Sequence, residues 1–273
     1  MKNLEMFCTS LEPDHYNFIK KLGYIPAGLG SKNFQEGWIR DNSGENISIK
    51  NKNYAECTFH YWLWKNHLKN IETKWIGFCH YRKFWTTGKF DNLQSETKDF
   101  SSIVLKNVPQ EYDDFDVILG KPFYVNQRRT MKFIKKGIKI IMKNPSYLYN
   151  QSKRTIKFHF DIMHGENNLN KAINLLDDEN KEDFKKYVNT KQYFHPFNMF
   201  ICKSKELLNL YYQTLFPWLK RCENIFSSKD LQGYDLARIY AFLAERFTSY
   251  WFEKNAKFKT MDITYYDIIK KIN

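Results

Sequence analysis

The chain begins with a β-strand, a helix and a second β-strand in direct succession. Residues 3–10 (NLEMFCTS) predict the first strand, and a turn at residues 12–14 (EPD) leads into a helix predicted at about 15–22. Residues 24–27 predict the second strand, which ends at residues 28–30 (GLG). This succession is typical of the first part of a nucleotide-binding α/β sheet.

Further apolar segments rich in β-propensity residues follow along the chain. They lie at residues 75–81 (WIGFCHY), 114–125 (DFDVILGKPFYV) and 197–202 (FNMFIC), and each predicts a buried strand. Helical patterns alternate with them, so we expect an α/β fold with a mixed sheet flanked by helices and a helical C-terminal part. The predicted helices cover about residues 54–69, 159–176, 177–188, 205–221 and 234–252.

A single domain is expected for the whole chain of 273 residues, because no internal repeat or low-complexity linker divides it. The five cysteines show neither a CxxC pair nor Cys/His ligand spacing, which predicts reduced thiols in a cytoplasmic protein. No window approaches the roughly 20 apolar residues of a membrane span. We therefore expect a soluble or peripheral protein.

The formal net charge of +13 favours anionic partners such as nucleotide diphosphates, phospholipid headgroups or nucleic acid. Charge alone does not choose among them, because a chain rich in Lys, Asn, Ile, Phe and Tyr also fits an AT-rich genome. Aromatic residues make up 18% of the chain, more than a core alone requires. Some of these rings are therefore expected to line a groove.

A polar loop at residues 41–53 (DNSGENISIKNKN) is the most informative segment. Asn, Asp and Ser side chains form local turns and leave backbone N–H groups free, so such a loop before a helix suits a ribose, a sugar or phosphates. An ordinary surface turn is the alternative. The predicted nucleotide contacts of this loop, its neighbouring helix and the GLG edge are Gly28, Asp41, Asn42, Gly44, Asn46, Ile47, Lys50, Asn51 and Tyr54.

The four residues 80–83 (HYRK) lie at the end of the predicted strand 75–81, on the carboxyl edge where α/β sheets bind ligands. The guanidinium of Arg82 suits bidentate contact with a phosphate, Lys83 adds a point charge, and His80 adds a donor that titrates. Tyr81 is expected to anchor these charges in a groove. We predict that the tetrad neutralises a diphosphate without a metal ion, and a surface-exposed basic strand end is the alternative.

The long motifs of this chain resemble a known family. Residues 41–66, 75–85, 116–122, 197–211 and 237–247 are similar to the successive motifs of the bacterial capsular polysaccharide synthesis glycosyltransferases, a family formerly described as a domain of unknown function. The resemblance covers about residues 5 to 252. It implies a GT-A-like fold and an enzyme of the hexosyltransferase type (EC 2.4).

The resemblance also implies the substrates and the location of the enzyme. The donor is expected to be a nucleotide-sugar, commonly a UDP-sugar, and the acceptor a capsule, O-antigen or lipooligosaccharide chain. Residues 1–125 would form the nucleotide-sugar-binding half, and residues 126–273 the acceptor side. A basic amphipathic segment at 127–150 is expected to allow peripheral contact with anionic lipid at the inner face of the cytoplasmic membrane.

Three residues are predicted to act in catalysis. Glu245 is the candidate carboxylate that takes the proton of an acceptor hydroxyl, His164 is expected to contact that hydroxyl, and Asp116 lies at the entrance of a strand. Asn198 and Arg238 are predicted contacts to the substrate. The alternatives are a solvated helix face for Glu245 and a turn or cap role for Asp116.

The sequence departs from GT-A enzymes at the place where many of them carry an Asp-x-Asp metal motif. Residues 80–83 stand there instead, and hard cations prefer oxygen ligands. We therefore predict no metal site, and no cofactor other than the nucleotide-sugar co-substrate. The alternative is a metal held by carboxylates from Asp113, Asp114 or Asp116, with Asp91 a weaker candidate.

Two other functions fit the basic composition. One is a non-catalytic protein that binds polyanions or nucleic acid, motivated by the net charge and by aromatic residues interleaved with lysines at 127–150. The chain contains no recognisable nucleic-acid motif, so nucleic acid is not predicted as a partner. The other is a membrane-docking protein in the assembly of surface polymers.

Overall fold

A computed structural model of the chain describes residues 2–87, 97–127, 131–226 and 231–267. The strands are β1 (Leu4–Ser10), β2 (Ile25–Gly28), β3 (Ile39–Arg40), β4 (Trp75–His80), β5 (Lys83–Thr86), β6 (Val117–Gly120), β7 (Phe123–Tyr124), β8 (Tyr193–Phe194), β9 (Phe200–Cys202) and β10 (Phe258–Tyr265).

The α-helices are distributed over the whole chain, with the longer ones in its second half. They are α1 (Tyr16–Lys21), α2 (Asn51–Tyr54), α3 (Cys57–Trp62), α4 (Thr97–Ile103), α5 (Met131–Lys143), α6 (Ile156–His164), α7 (Asn168–Ile173), α8 (Asp178–Thr190), α9 (Lys205–Cys222), α10 (Tyr234–Ala237) and α11 (Ile239–Asn255). A π-helical turn, Leu63–His67, continues α3. Short 3₁₀ turns lie at Pro13–His15, Ser48–Lys50, Leu68–Asn70, Gln110–Tyr112, Pro145–Leu148 and Gln151–Lys153.

Eight strands of the described residues form one mixed sheet with β4 at its centre. The neighbours β3, β2, β1 and β4 are parallel, and β9 lies antiparallel between β4 and β6. β10 is parallel to β6, and β5 pairs antiparallel with both β10 and β4. The pairings from β4 through β5, β10, β6 and β9 therefore return to β4 and close a ring. β7 and β8 form a separate two-stranded ribbon.

Side chains of β1 alternate between two apolar layers, one on each face of the sheet. Phe7 points into the larger layer, which contains residues of α3, α6 to α9 and α11. Met6 and Cys8 point into the other layer with α1 and α4. Phe7 lies opposite Phe78 of β4, and their rings stack with centroids 6.0 Å apart. Burial on both faces explains why these strands are continuous apolar segments in the sequence.

The predicted strands are confirmed at β1, β2, β4, β6 and β9, and the predicted helices are confirmed at α1, α8 and α9. The prediction of one continuous helix is wrong in three places. The helix predicted at 54–69 is interrupted by Ala55, which has a φ of 47°. The helix predicted at 159–176 ends at Gly165, where φ is 92°, and the helix predicted at 234–252 breaks at Arg238.

Four strands were not expected from the sequence: β3, β5, β8 and β10. β5 turns residues 80–83 into a tight hairpin, because His80 pairs with Lys83. The tetrad predicted as a strand end is thus the tip of a hairpin at the carboxyl edge of β4. All five cysteines are buried and free of disulfides. Within the described residues, no helix combines the length and the apolar character that a membrane crossing requires.

Candidate active site

A cavity of about 340 Å³ opens at the carboxyl edge of the sheet, where β1, β2 and β4 end. Its size is in the range of sites for small molecules. The wall also includes parts of residues 51–56, 80–83, 197–198 and 234–245, so both halves of the chain contribute to it. The predicted site residues in this wall are Asn51, His80, Tyr81, Arg82, Lys83, Asn198, Arg238 and Glu245.

Three cations lie in the wall of this cavity. The Arg82 guanidinium is 4.9 Å from the ring centroid of Tyr81, and the Lys83 ammonium is 3.4 Å from that of Phe197. Arg238 lies over the ring of Tyr234 at 4.8 Å. None of the three cations pairs with a carboxylate of the described residues. Stacking on aromatic rings therefore positions their charges and leaves them available to an anion.

Burial lowers the pKa of Lys83, while the nearby carboxylates of Glu245 and Glu56 oppose this shift. An anion bound in the cavity would favour the charged ammonium in the same way as these carboxylates do. Arg82 and Lys83 therefore lie together in the wall of one cavity, and their contact with a diphosphate stays a prediction.

His80 bridges two parts of the cavity wall. Its Nδ1 lies 2.7 Å from the hydroxyl of Thr9 at the end of β1, and its Nε2 lies 2.7 Å from the carbonyl oxygen of Phe197. Burial lowers the pKa of His80, opposed by the charge of Glu56. In the neutral ring, Nε2–H donates to Phe197 and Nδ1 accepts from Thr9. Both ring nitrogens are thus engaged within the protein, which fits a positioning role for His80 better than the predicted contact with a ligand.

The segment Phe197–Asn198 has an unusual backbone conformation, with φ angles of 79° and 51°. L residues rarely adopt this region, and such conformations persist only when surrounding contacts fix them. The N–H of Phe197 donates to Oε1 of Glu245 at 2.5 Å. The side-chain amide of Asn198 donates to Oε1 of Glu56 at 2.7 Å and to the carbonyl oxygen of Ala241 at 3.1 Å.

Glu245 lies in the cavity wall on α11 with its side chain 12% exposed. One of its oxygens accepts from the Phe197 N–H, and the other accepts from the guanidinium of Arg246, which is buried beneath it. Burial raises the pKa of Glu245, and Arg246 and the Phe197 hydrogen bond oppose that shift. Glu245 therefore lies in the cavity wall, where each of its oxygens accepts one hydrogen bond from the protein, and its catalytic role stays a prediction.

Glu56 is a second carboxylate in the cavity wall, and the sequence did not single it out. It follows Ala55 at the junction of α2 and α3. In the sequence, Glu56 is an acidic residue within an aromatic helical pattern (YAECTFHYW). An ordinary helix explains that pattern equally well. The interruption at Ala55 is what turns Glu56 toward Asn198.

The polar loop at residues 41–53 contributes Asn51 to this cavity, while its other predicted contacts lie elsewhere. Lys50 binds Glu223 with contacts of 2.6 and 2.8 Å, and Tyr54 donates to the same carboxylate. Ile47, Lys50 and Tyr54 line a second cavity of about 280 Å³ between the loop and α9.

The other predicted residues of this region lie outside both cavities and either pack within the protein or are exposed. Asp41 is completely buried, and burial raises the pKa of its carboxyl. Gly28 is covered so closely that a Cβ there would lie 2.8 Å from the ring of Phe34. Gly44 has a φ of 55° and packs against Asn66, whose amide holds the loop by accepting from the Glu45 N–H. Asn42 is exposed, and the side chain of Asn46 bonds within the loop to Gly44 and Ser48.

Two predicted catalytic residues lie outside this cavity. Asp116 precedes β6 at the opposite edge of the sheet, where its carboxylate accepts from the Lys257 N–H at 2.8 Å. His164 is buried behind Phe242, with ring centroids 3.9 Å apart, and its Nδ1 lies 2.9 Å from the carbonyl oxygen of Asp235. Burial holds the pKa of His164 well below its usual value, and the charge of Arg246 adds to that shift. The structure therefore does not bring Asp116 or His164 to the proposed chemistry.

The alternative metal carboxylates are also away from the cavity. Asp113 pairs with Lys74 at 2.7 Å, Asp114 is exposed beside it, and Asp91 lies outside the described residues. Across the part of the chain that the structure describes, no group of three or more His, Cys, Asp or Glu side chains is arranged to hold a metal ion.

Comparisons with known proteins locate this chain among related sequences and folds. A family model described as "Domain of unknown function (DUF4422)" matches residues 13–256. No curated protein sequence matches the chain. The structure of the bifunctional glycosyltransferase WbbM superposes with a TM-score of 0.70 at 20% identity, covering 96% of this chain and 45% of the WbbM chain. This chain thus has the same fold as a part of WbbM and spans less than half of its length.

Two fungal structures are more distant. Core-mannan synthase A (CmsA/Ktr4) of Aspergillus fumigatus, solved with Mn and GDP, gives a TM-score of 0.35 at 12% identity over 97% of this chain and 75% of its own. The mannosyltransferase Ktr4p of S. cerevisiae gives 0.29 at 11% identity over 78% and 60%. Likeness at these TM-scores is too weak to indicate a common fold.

Proposed function

This chain belongs to the family described as domain of unknown function DUF4422, and from this membership and the fold it shares with part of WbbM we propose that it is a glycosyltransferase. The reaction is transfer of a sugar from a nucleotide-sugar, specifically a UDP-sugar, to a capsule, O-antigen or lipooligosaccharide acceptor by an enzyme of the hexosyltransferase type. One observation carries the proposal. Three cations that pair with no carboxylate of the described residues share a single cavity with two carboxylates.

The donor diphosphate occupies the side of the cavity formed by the hairpin at residues 80–83. Arg82 provides a fork of donors and Lys83 a point charge, and both gain interaction energy as negative charge develops on the leaving nucleotide. In this proposal the two cations do the work that a divalent metal does in other transferases. The ends of β1 and β2 together with Asn51 offer polar and apolar contacts for the nucleoside.

The acceptor occupies the side formed by the second half of the chain. Asn198 and Arg238 supply polar contacts there, and the rings of Tyr234 and Tyr265 lie in the same wall. These two tyrosines are 65% and 50% exposed, so their faces are accessible to the apolar face of a sugar ring. In this proposal, donor and acceptor bind on the two sides of the hairpin tip.

A lipid-linked acceptor would require the cavity to open close to a membrane, and the exposed face of α5 supports this. Ile138 and Met142 on that face are 47% and 73% exposed and lie among exposed lysines. Lys136 pairs with Asp235 of α10, the residue next to Tyr234 in the cavity wall. The basic apolar face is therefore adjacent to the acceptor side, which suits peripheral contact with anionic lipid.

The proposal is tested by ligand-dependent stabilisation followed by a reaction assay. We expect UDP and at least one UDP-sugar to raise Tm, since a ligand at 100 times its Kd stabilises by about 2.7 kcal/mol. The same UDP-sugar should release UDP when incubated with the protein. Stabilisation by oligonucleotides together with no response to any nucleotide-sugar would instead indicate a polyanion-binding protein.

A further inference from the structure

Backbone strain in this protein is concentrated at the candidate active site. Among the described residues, four that are not glycine have a positive φ, and three of them, Ala55, Phe197 and Asn198, line the cavity. The fourth, Asn167, precedes α7. Such conformations each cost about 1–3 kcal/mol and cluster where function requires a fixed geometry. The hydrogen bond from Asn198 to Glu56 links the two strained segments.

The strain at Ala55 determines where Glu56 points. With φ at 47° and ψ at −131°, Ala55 ends α2 and redirects the chain before α3 begins. Glu56 then occupies the N-cap position of α3, but its side chain makes no capping hydrogen bond. It reaches Asn198 instead, and Asn198 is itself held against Ala241 of α11. Three separate chain segments thus fix one carboxylate in the cavity wall.

The two carboxylates of the cavity differ in how many of their oxygens accept hydrogen bonds from the protein. Glu245 uses one oxygen for the Phe197 N–H and the other for Arg246. Glu56 uses Oε1 for Asn198, and its Oε2 has no hydrogen-bond partner among the described residues. A general base needs an oxygen with a free lone pair in reach of the proton it accepts. Oε2 of Glu56 accepts no hydrogen bond among the described residues, whereas each oxygen of Glu245 already accepts one and protonation would weaken its ion pair with Arg246.

We infer that Glu56 is the catalytic base of this enzyme and that Glu245 is a positioning residue; the inference rests on the proposed sugar transfer. Oε2 of Glu56 accepts the proton of the acceptor hydroxyl while that oxygen forms its bond to the anomeric carbon. The bond from the anomeric carbon to the diphosphate oxygen breaks, and its electron pair leaves with the nucleotide beside Arg82 and Lys83. Because this is a single displacement, the anomeric configuration of the sugar is inverted.

The test compares Glu56→Gln with Glu206→Gln, a control at an exposed position in the first turn of α9. The amide of Glu56→Gln still accepts from Asn198, so Tm and the Tm shift caused by UDP should equal those of the parent. UDP release from the UDP-sugar that the parent uses should fall by about 10²–10⁴-fold, the range for loss of a general base. Glu206→Gln should retain the parent rate.

Two further readouts separate a base from a structural residue. In Glu56→Gln the loss should appear in kcat, while the KM for the UDP-sugar stays that of the parent. The sugar bond formed should have inverted configuration by NMR. An active parent with an equally active Glu56→Gln variant, or a retained configuration, overturns the assignment of Glu56 alone. A parent that releases UDP from no nucleotide-sugar overturns the proposed function as well.

Discussion

The side-chain amide of Asn51 donates a hydrogen bond of 2.9 Å to the carbonyl oxygen of Ala55 and thereby closes the turn between α2 and α3. The hydroxyl of Thr58 donates to the same oxygen at 3.0 Å. These two donors hold the carbonyl group of a residue whose φ and ψ suit glycine better than alanine. The cavity wall therefore keeps a strained turn at the position that directs Glu56.

Replacing Ala55 by glycine should make the protein more stable and less active. Glycine adopts this conformation without steric cost, so relief of strain should exceed the entropy cost of glycine and raise the free energy of unfolding by about 1 kcal/mol. Looser placement of Glu56 should lower the rate of UDP release. Chemical denaturation measures the change in the free energy of unfolding. Ala244→Gly, at a buried position within α11, is the control and should destabilise by at least about 1 kcal/mol. An Ala55→Gly protein less stable than the parent would contradict this prediction.

Removing the guanidinium at position 82 should affect catalysis and leave folding intact. Arg82 is half-buried and forms no ion pair with the described carboxylates, so Arg82→Ala should melt close to the parent temperature. Loss of a charged donor to the leaving group should reduce the rate of UDP release by about 10²–10³-fold. Arg221→Ala, an exposed arginine on α9, is the matched control. Equal rates for Arg82→Ala and the parent would remove the proposed role of the hairpin.

Stability should decrease as the pH falls below neutrality. The His60 ring packs against Phe78 and Phe200 with Nδ1 2.7 Å from the Tyr212 hydroxyl, and burial lowers its pKa to about 3. The unfolded chain binds a proton to His60 near pH 6.5, whereas the folded chain does so only in stronger acid.

The lowered pKa therefore contributes stability at neutral pH that is lost as the pH falls toward the folded-state value, by about 2 kcal/mol between pH 7 and pH 5. Burial lowers the pKa of His80 and His164 as well, so these two residues also reduce the stability of the folded protein as the pH falls. Urea unfolding at both pH values measures the effect. The stability of a His60→Gln variant should depend less on pH than that of the parent. An equal loss of stability between pH 7 and pH 5 in variant and parent would exclude His60 as its source.

Binding to anionic vesicles should depend on the exposed face of α5. The parent should float with vesicles containing phosphatidylglycerol, remain unbound with phosphatidylcholine alone, and dissociate at high salt. Met142→Glu should reduce the bound fraction by about tenfold, since it removes apolar insertion and adds repulsion. Leu210→Glu is the control, because Leu210 is an exposed apolar residue on α9, away from this face. Binding that is insensitive to salt, or equal losses in both variants, would count against the proposed contact.

The sequence was sufficient to predict the strands that are buried on both faces. Such strands consist almost entirely of apolar residues, as in residues 75–79 of β4. β10 has no such pattern, because most of its side chains are exposed or only half-buried and polar residues alternate with apolar ones. It is a strand because Phe258 pairs with Val117 on one side and Tyr265 pairs with Lys83 on the other. Pairing between distant segments cannot be read from local propensity.

The site was predictable where its residues follow directly from a strand end. Residues 80–83 had to lie at the carboxyl edge once β4 was predicted, and all four line the cavity. The polar loop at 41–53 was correctly expected to form turns, but its composition does not specify which cavity it faces. Glu56 was missed because residues 54–69 have a helical pattern. The interruption at Ala55 depends on Asn51, Thr58 and the packing of the folded protein.

The ring of strands determines when this sheet can be completed during synthesis. β10 comes last among the strands of the described residues, and it pairs with β5 and with β6, which precede it by well over a hundred residues in the sequence. A nascent chain that has not reached residue 258 has an unpaired edge on each of those two strands, and such edges associate readily with other chains. Ribosome-bound intermediates should therefore depend on chaperones until the last strand is translated.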